Sequence, residues 1–89
     1  MSDQNPSQLG VGVATLFDSL NMQKGDLSYR MEGMCQMVSM IKAVLTNRDR
    51  KYISEAIDRA CERFNQYDKK NALVTNRYAL QTIADLAGY

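Results

Sequence analysis

The side chains that could do chemistry in this 89-residue chain are two cysteines and ten carboxylates, and there is no histidine to work with them. Cys35 and Cys61 lack Cys-x-x-Cys spacing, and neither thiol has an imidazole to take its proton. Two cysteines without histidine cannot fill a tetrahedral zinc site within one chain. In a reducing compartment they read as two small apolar residues rather than a disulfide framework. The carboxylates of Glu32, Glu55, Glu62 and the seven aspartates are scattered over turns and polar faces, with no Glu-x-x-His pair, Asp-x-Asp loop or Gly-x-x-x-x-Gly-Lys phosphate cradle. A chain this short also struggles to build both a core and a pocket of ~300 Å3. The expectation is a non-enzymatic protein with no cofactor, no metal and no small-molecule substrate.

The elements that must carry these residues are helices. Asn5-Pro6 is a plausible start, since proline lacks the N–H that a first turn leaves unpaired, and Leu9, Val13, Leu16, Phe17 and Leu20 come after it at helical spacing. Gly10 and Gly12 weaken the first turns, so the segment is firmest from Val13 to Asn21. After a turn at 23–26, Leu27, Met31, Met34, Val38, Ile41 and Leu45 recur at intervals of four and three, predicting a helix over 27–46. Cys35, Met37 and Val44 widen its apolar stripe to roughly 180°, more than an ordinary surface helix presents. A break at 46–49, where Asp49 can cap the next helix, precedes a third helix over 50–67 burying Ile53, Ala56, Ile57, Ala60, Phe64 and Tyr67. A fourth, over 72–87, presents Leu73, Leu80, Ile83, Ala84 and Ala87 on one side, with Leu86 and Ala79 flanking, and stops at Gly88.

One core is the limit for this length. The predicted fold is all-α, a small three- to four-helix bundle with a central antiparallel helical hairpin, formed by the second and third helices, with the fourth folded back on the second. Residues 1–8 read as a flexible polar tail and 9–89 as a single helical domain. Centring the break on Arg48 puts Cys35 and Cys61 at the same height on paired helices.

Formal charge is +1, from 11 Lys and Arg against 10 Asp and Glu, so no strong field points at nucleic acid or anionic lipid. The segment 82–88, Thr-Ile-Ala-Asp-Leu-Ala-Gly, resembles the first helix and turn of the helix-turn-helix found in some repressors, but Tyr89 stands where a recognition helix begins. Basic residues gather at two turns, Arg48, Arg50 and Lys51 at one and Lys69 and Lys70 at the other, about 27 Å apart at 1.5 Å per residue. They form no single stripe. A DNA-binding regulator is therefore the weakest functional reading. No apolar run approaches the ~20 residues of a membrane span, and no basic residue precedes Lys24 as a secretory signal would require. A cytoplasmic protein is expected.

Protein partners remain. Met31, Met34, Met37 and Met40 spiral around the second helix, and flexible thioethers suit surfaces that accept other chains. With Val38, Ile41 and Val44 they are the expected self-association residues, because a two-fold dimer is the commonest way to cover an over-wide apolar arc. Tyr29, Tyr52 and Tyr78, with Arg48 and Arg50, are the expected contacts for a larger protein. The leading expectation is a homodimeric regulator or adaptor. The main alternative is a structural or chaperone-like subunit of a larger assembly, such as a secretion apparatus or phage particle.

Overall fold

Thr46 and Asp49 decide where the chain turns. In the computed structural model, which describes residues 5–20, 27–67 and 72–88, the Thr46 hydroxyl accepts from the Asp49 N–H at 3.0 Å, and the Asp49 carboxylate accepts from the Thr46 N–H at 3.1 Å. This reciprocal capping box satisfies two of the donors that a helix start leaves open. It begins the third helix three residues earlier than the 50–67 expected, with Thr46 rather than Asp49 as cap.

Four helices result: α1 (Gln8–Ser19), α2 (Leu27–Ile41), α3 (Asn47–Tyr67) and α4 (Ala72–Ala87). All regular structure among the described residues is helical, and the all-α bundle is as expected. Helix α1 starts after Ser7, whose hydroxyl accepts from the Gly10 N–H at 3.3 Å. Asn5 therefore does not cap it. Ser7, expected in the polar tail, is part of the folded domain, because its N–H and hydroxyl both donate to Asp49. Residues 1–4 of that tail lie outside the described residues, as do the turns at 21–26 and 68–71. Helix α2 ends before Thr46, passing into a 3-10 turn at Lys42–Val44 and then an extended Leu45 whose side chain drops into the core. Helix α4 has the expected bounds, closed by Gly88 at φ 87°, a left-handed conformation that glycine adopts without Cβ strain.

Cross-helix contacts fix the topology. Ser7 meets Asp49 and Asp18 meets Arg59, so α1 and α3 run parallel. Asn65 meets Asn76 and Arg50 meets the Leu86 carbonyl, so α3 and α4 run antiparallel. Cys35 meets Thr82 and Lys42 meets Asp85, so α2 and α4 run parallel. The helices form a ring in the order α1, α3, α4, α2, closed by a thin contact between α1 and α2. The central antiparallel hairpin is thus α3–α4, not the expected pairing of the second and third helices. The extended Leu45 lets α3 leave α2 and cross to the far side of the ring, where it packs on both α1 and α4.

Val13, Phe17, Leu20, Met31, Val38, Leu45, Ile53, Ile57 and Phe64 fill the ring's centre. On α4 the inward face is not the predicted one. Thr75, Ala79, Thr82 and Leu86 are buried, whereas Leu73 and Leu80 stay 74% and 66% exposed. The small inward residues let α4 sit close between α2 and α3. Its leucines are left on the outside.

Candidate interaction surfaces

The ring presents two opposite faces, one made by α1 and α2, the other by α3 and α4, and they differ in charge. Helix α1 carries one charged residue, Asp18, and α2 two, Arg30 and Glu32, against nine in α3. Asp18 is turned to α3, where both its carboxylate oxygens accept from Arg59 at 3.1 Å. Glu32 is turned to α4, where it hydrogen-bonds Tyr78 and, with its own charge, pushes that phenol's pKa up. The outer face between α1 and α2 is therefore left with Arg30 and otherwise uncharged side chains.

Projection at 100° per residue places Leu9 and Leu16 on the flank of α1 that faces away from α3. Both are partly exposed, at 42% and 48%. The same projection turns Met34, Met37 and Ile41 of α2 toward α1, where they are half-buried against the core. Met40 and Val44 extend this apolar surface outward and are 85% and 69% exposed. A Cβ at Gly12 or Gly33 would meet nothing within 4 Å among the described residues.

The expected self-association residues thus divide. Met31 and Val38 are fully buried core residues, because the inward side of α2 is already covered by the ring, so neither can meet another chain. Met34, Met37 and Ile41 form the rim of the α1/α2 seam, and Met40 and Val44 are outside it.

The expected partner contacts divide too. Tyr29 is 74% exposed and Tyr52 38%, on different sides of the ring. Tyr78 is half-buried and held by Glu32. Arg48 is half-buried. Arg50 has an internal task, donating to the Lys42 carbonyl at 2.7 Å and the Leu86 carbonyl at 3.1 Å. One guanidinium thereby ties the C-terminal ends of the α2 segment and of α4 to the start of α3, where a positive charge is also favoured by both helix dipoles.

Asp49 is the residue whose role sequence reasoning understated. It is 1% exposed, and besides its capping contact it accepts from the Ser7 N–H at 2.7 Å and the Ser7 hydroxyl at 2.9 Å. Burial pushes its carboxyl up, but the Ser7 and Thr46 donors outweigh that and hold it below its ordinary value. Gly10 leaves room for it, since a Cβ there would stand 2.8 Å from the Asp49 Cγ. The legible signal was Thr46-x-x-Asp49, a capping-box spacing. Nothing in the sequence announced its partner Ser7, 42 residues away.

The thiols are poor nucleophiles. Cys35 is buried, and burial raises its pKa despite a hydrogen bond with Thr82. Cys61 is half-buried and pushed up to about 11 by burial, then by Asp58 and by Cys35. Among the described residues no group of three or more His, Cys, Asp or Glu is placed to hold a metal ion, and no helix is long and apolar enough to cross a membrane. No protein-family model, curated protein or solved structure matches the chain.

Proposed function

We propose that the protein is a small non-enzymatic interaction domain, a cytoplasmic regulator or adaptor, that pairs with a second copy of itself through its α1/α2 face. The observation that carries this reading is the apolar, charge-poor outer face of α1 and α2, where Leu9, Leu16 and Met37 beside the seam, and Met40 and Val44 outside it, keep exposed or half-exposed surface. Self-pairing is favoured over an unlike partner by the shortage of charge. A two-fold contact sets a face against its own image, so a charged face meets like charge, whereas an uncharged one pays no such penalty. Interface cores are likewise depleted of charge and rich in methionine. A stable dimer needs to cover about 800 Å2 on each partner, roughly an eighth of the 6064 Å2 that the chain exposes. Two adjoining helices can supply that.

The test is the solution mass by light scattering across a concentration series. A dimer has twice the 10.1 kDa of the chain, and Leu16→Lys with Met40→Lys should return it to monomer while leaving helix content unchanged. A wild type that is monomeric at every concentration overturns the pairing. The alternative, a structural or chaperone-like subunit of a larger assembly, is favoured by the outward leucines of α4. It requires a chain that aggregates unless co-expressed with its neighbour.

A further inference from the structure

Where α3 begins and α4 ends, the two helices flank a shallow cavity of about 390 Å3. That exceeds the ~300 Å3 which chain length alone put in doubt. Ile83 and Ala87 of α4 make one wall apolar, and Asn47, Arg50, Lys51 and Ser54 of α3 make the other polar and basic. Each of these four side chains can donate a hydrogen bond. No carboxylate is among the lining residues.

The acids nearest in the chain are turned elsewhere. Asp49 accepts from Ser7 at the start of α1, and Asp85 pairs with Lys42 at 3.7 Å. Further along α3, Glu55 and Asp58 are exposed and outside the lining. Lys51 is exposed and Arg50 half-buried, and among the described residues neither forms an ion pair. Arg50 donates one N–H to the Lys42 carbonyl and one to that of Leu86, which fixes the guanidinium in place. The rest of its donor fork meets no acceptor among the described residues.

We propose that this cavity binds a small organic acid, a carboxylate carried on a short apolar chain. The carboxylate sits between Arg50 and Lys51, where a guanidinium already held by two carbonyls presents its remaining donors without further ordering. Ser54 and Asn47 complete the donor set. The apolar chain lies over Ile83 and Ala87. A neutral apolar ligand would cover two cations without compensating them, which is unfavourable, and a bare anion would leave the apolar wall uncovered. Charge and shape together therefore select an acid with a body. The site lies across the ring from the α1/α2 face and does not depend on the pairing proposed there.

The test titrates isocaproate into the 15N-labelled full chain and follows the backbone amide shifts. Isocaproamide, which lacks the charge, acetate, which lacks the body, and inorganic phosphate serve as comparisons. Isocaproate should shift the amides of Asn47, Lys51, Ser54, Ile83 and Ala87 saturably. It should bind about tenfold or more tightly than any of the three comparisons, a difference of at least ~1.4 kcal/mol, and less tightly as salt is raised. Lys51→Glu, at an exposed position, should weaken it about tenfold, whereas Lys51→Arg should keep it. Circular dichroism confirms that each variant is folded. Equal binding of isocaproate and isocaproamide overturns the proposal, because the charge is then idle. Equal binding of isocaproate and acetate or phosphate overturns it as well, since that marks an adventitious surface anion only. So do shifts that fall elsewhere on the chain, no saturable shift at all, or a Lys51→Glu variant that binds as the wild type does.

Discussion

Replacing Asp49 by Ala removes the one acceptor on which the start of α1 and the start of α3 converge. The Ser7 N–H, the Ser7 hydroxyl and the Thr46 N–H lose their shared partner. A hydrogen bond to a charged group contributes ~1.5–3 kcal/mol, and loss of a cap costs ~1 kcal/mol. Because the Ser7 end is partly open and water can replace some of this, the loss should be about 3 kcal/mol rather than the full sum. In a domain of this size that lowers Tm by ~12–24 °C. Gly10 sharpens the test. In the wild type Gly10→Ala drives a Cβ into the Asp49 carboxylate and should destabilise, although alanine is the better helix former by ~1 kcal/mol. In the Asp49→Ala background the carboxylate is gone and only the Cβ, 3.0 Å away, remains, so the same change should destabilise far less. Urea melts of the four chains give the coupling directly. An equal loss from Gly10→Ala in both backgrounds would falsify the contact. Acid adds an independent check. A carboxylate held below its unfolded pKa, ~3.9, contributes stability that is complete above about pH 5 and is lost as pH falls through the folded value. The wild type should therefore lose more stability than Asp49→Ala between pH 5 and pH 2. A parallel loss in both refutes the assignment.

Arg50→Met should cost about 2 kcal/mol in thermal melts, since two helix-terminal carbonyls lose a charged donor; a change under ~0.5 kcal/mol contradicts that role. Asp18→Asn should cost at most ~1 kcal/mol and less in high salt, because the pair with Arg59 is about half exposed on both sides. Met31→Ala should cost ~2–5 kcal/mol, whereas Met40→Ala, at 85% exposure, should leave the stability of the monomer nearly unchanged. Native-state alkylation of Cys61 should be slow at pH 7 and rise with pH toward about 11; fast labelling of Cys61 at neutral pH contradicts its burial.

Element positions are legible because helices announce themselves by spacing and caps. Helix α4 can be bounded to the residue, and the start of α3 is misplaced only because Asp49 reads equally well as the cap and as the third residue of a capping box. Pairing is less legible. A short break after α2 suggests a hairpin, but the extended Leu45 redirects the chain, and nothing local encodes that. The face of α4 misleads for an instructive reason. Leu73-Leu80-Ala84-Ala87 and Thr75-Ala79-Thr82-Leu86 both repeat at helical intervals, and hydrophobicity selects the first. Close packing between α2 and α3 selects the second. The same ambiguity runs through α2, where Met31 and Met40 are identical side chains with opposite exposures. Sequence marks the helix as over-apolar, and the tertiary ring decides which of its methionines remain for another chain.

The measurement that bears most directly on self-pairing is an isotope-filtered NOE experiment on a mixture of 13C-labelled and unlabelled chains, which reports only contacts between copies. The pairing predicts cross-peaks joining the Met37 and Met40 methyls to the Leu9 and Leu16 methyls of the other copy. Cross-peaks confined to Leu73 and Leu80, or none at a concentration where the mass is that of a dimer, would contradict it.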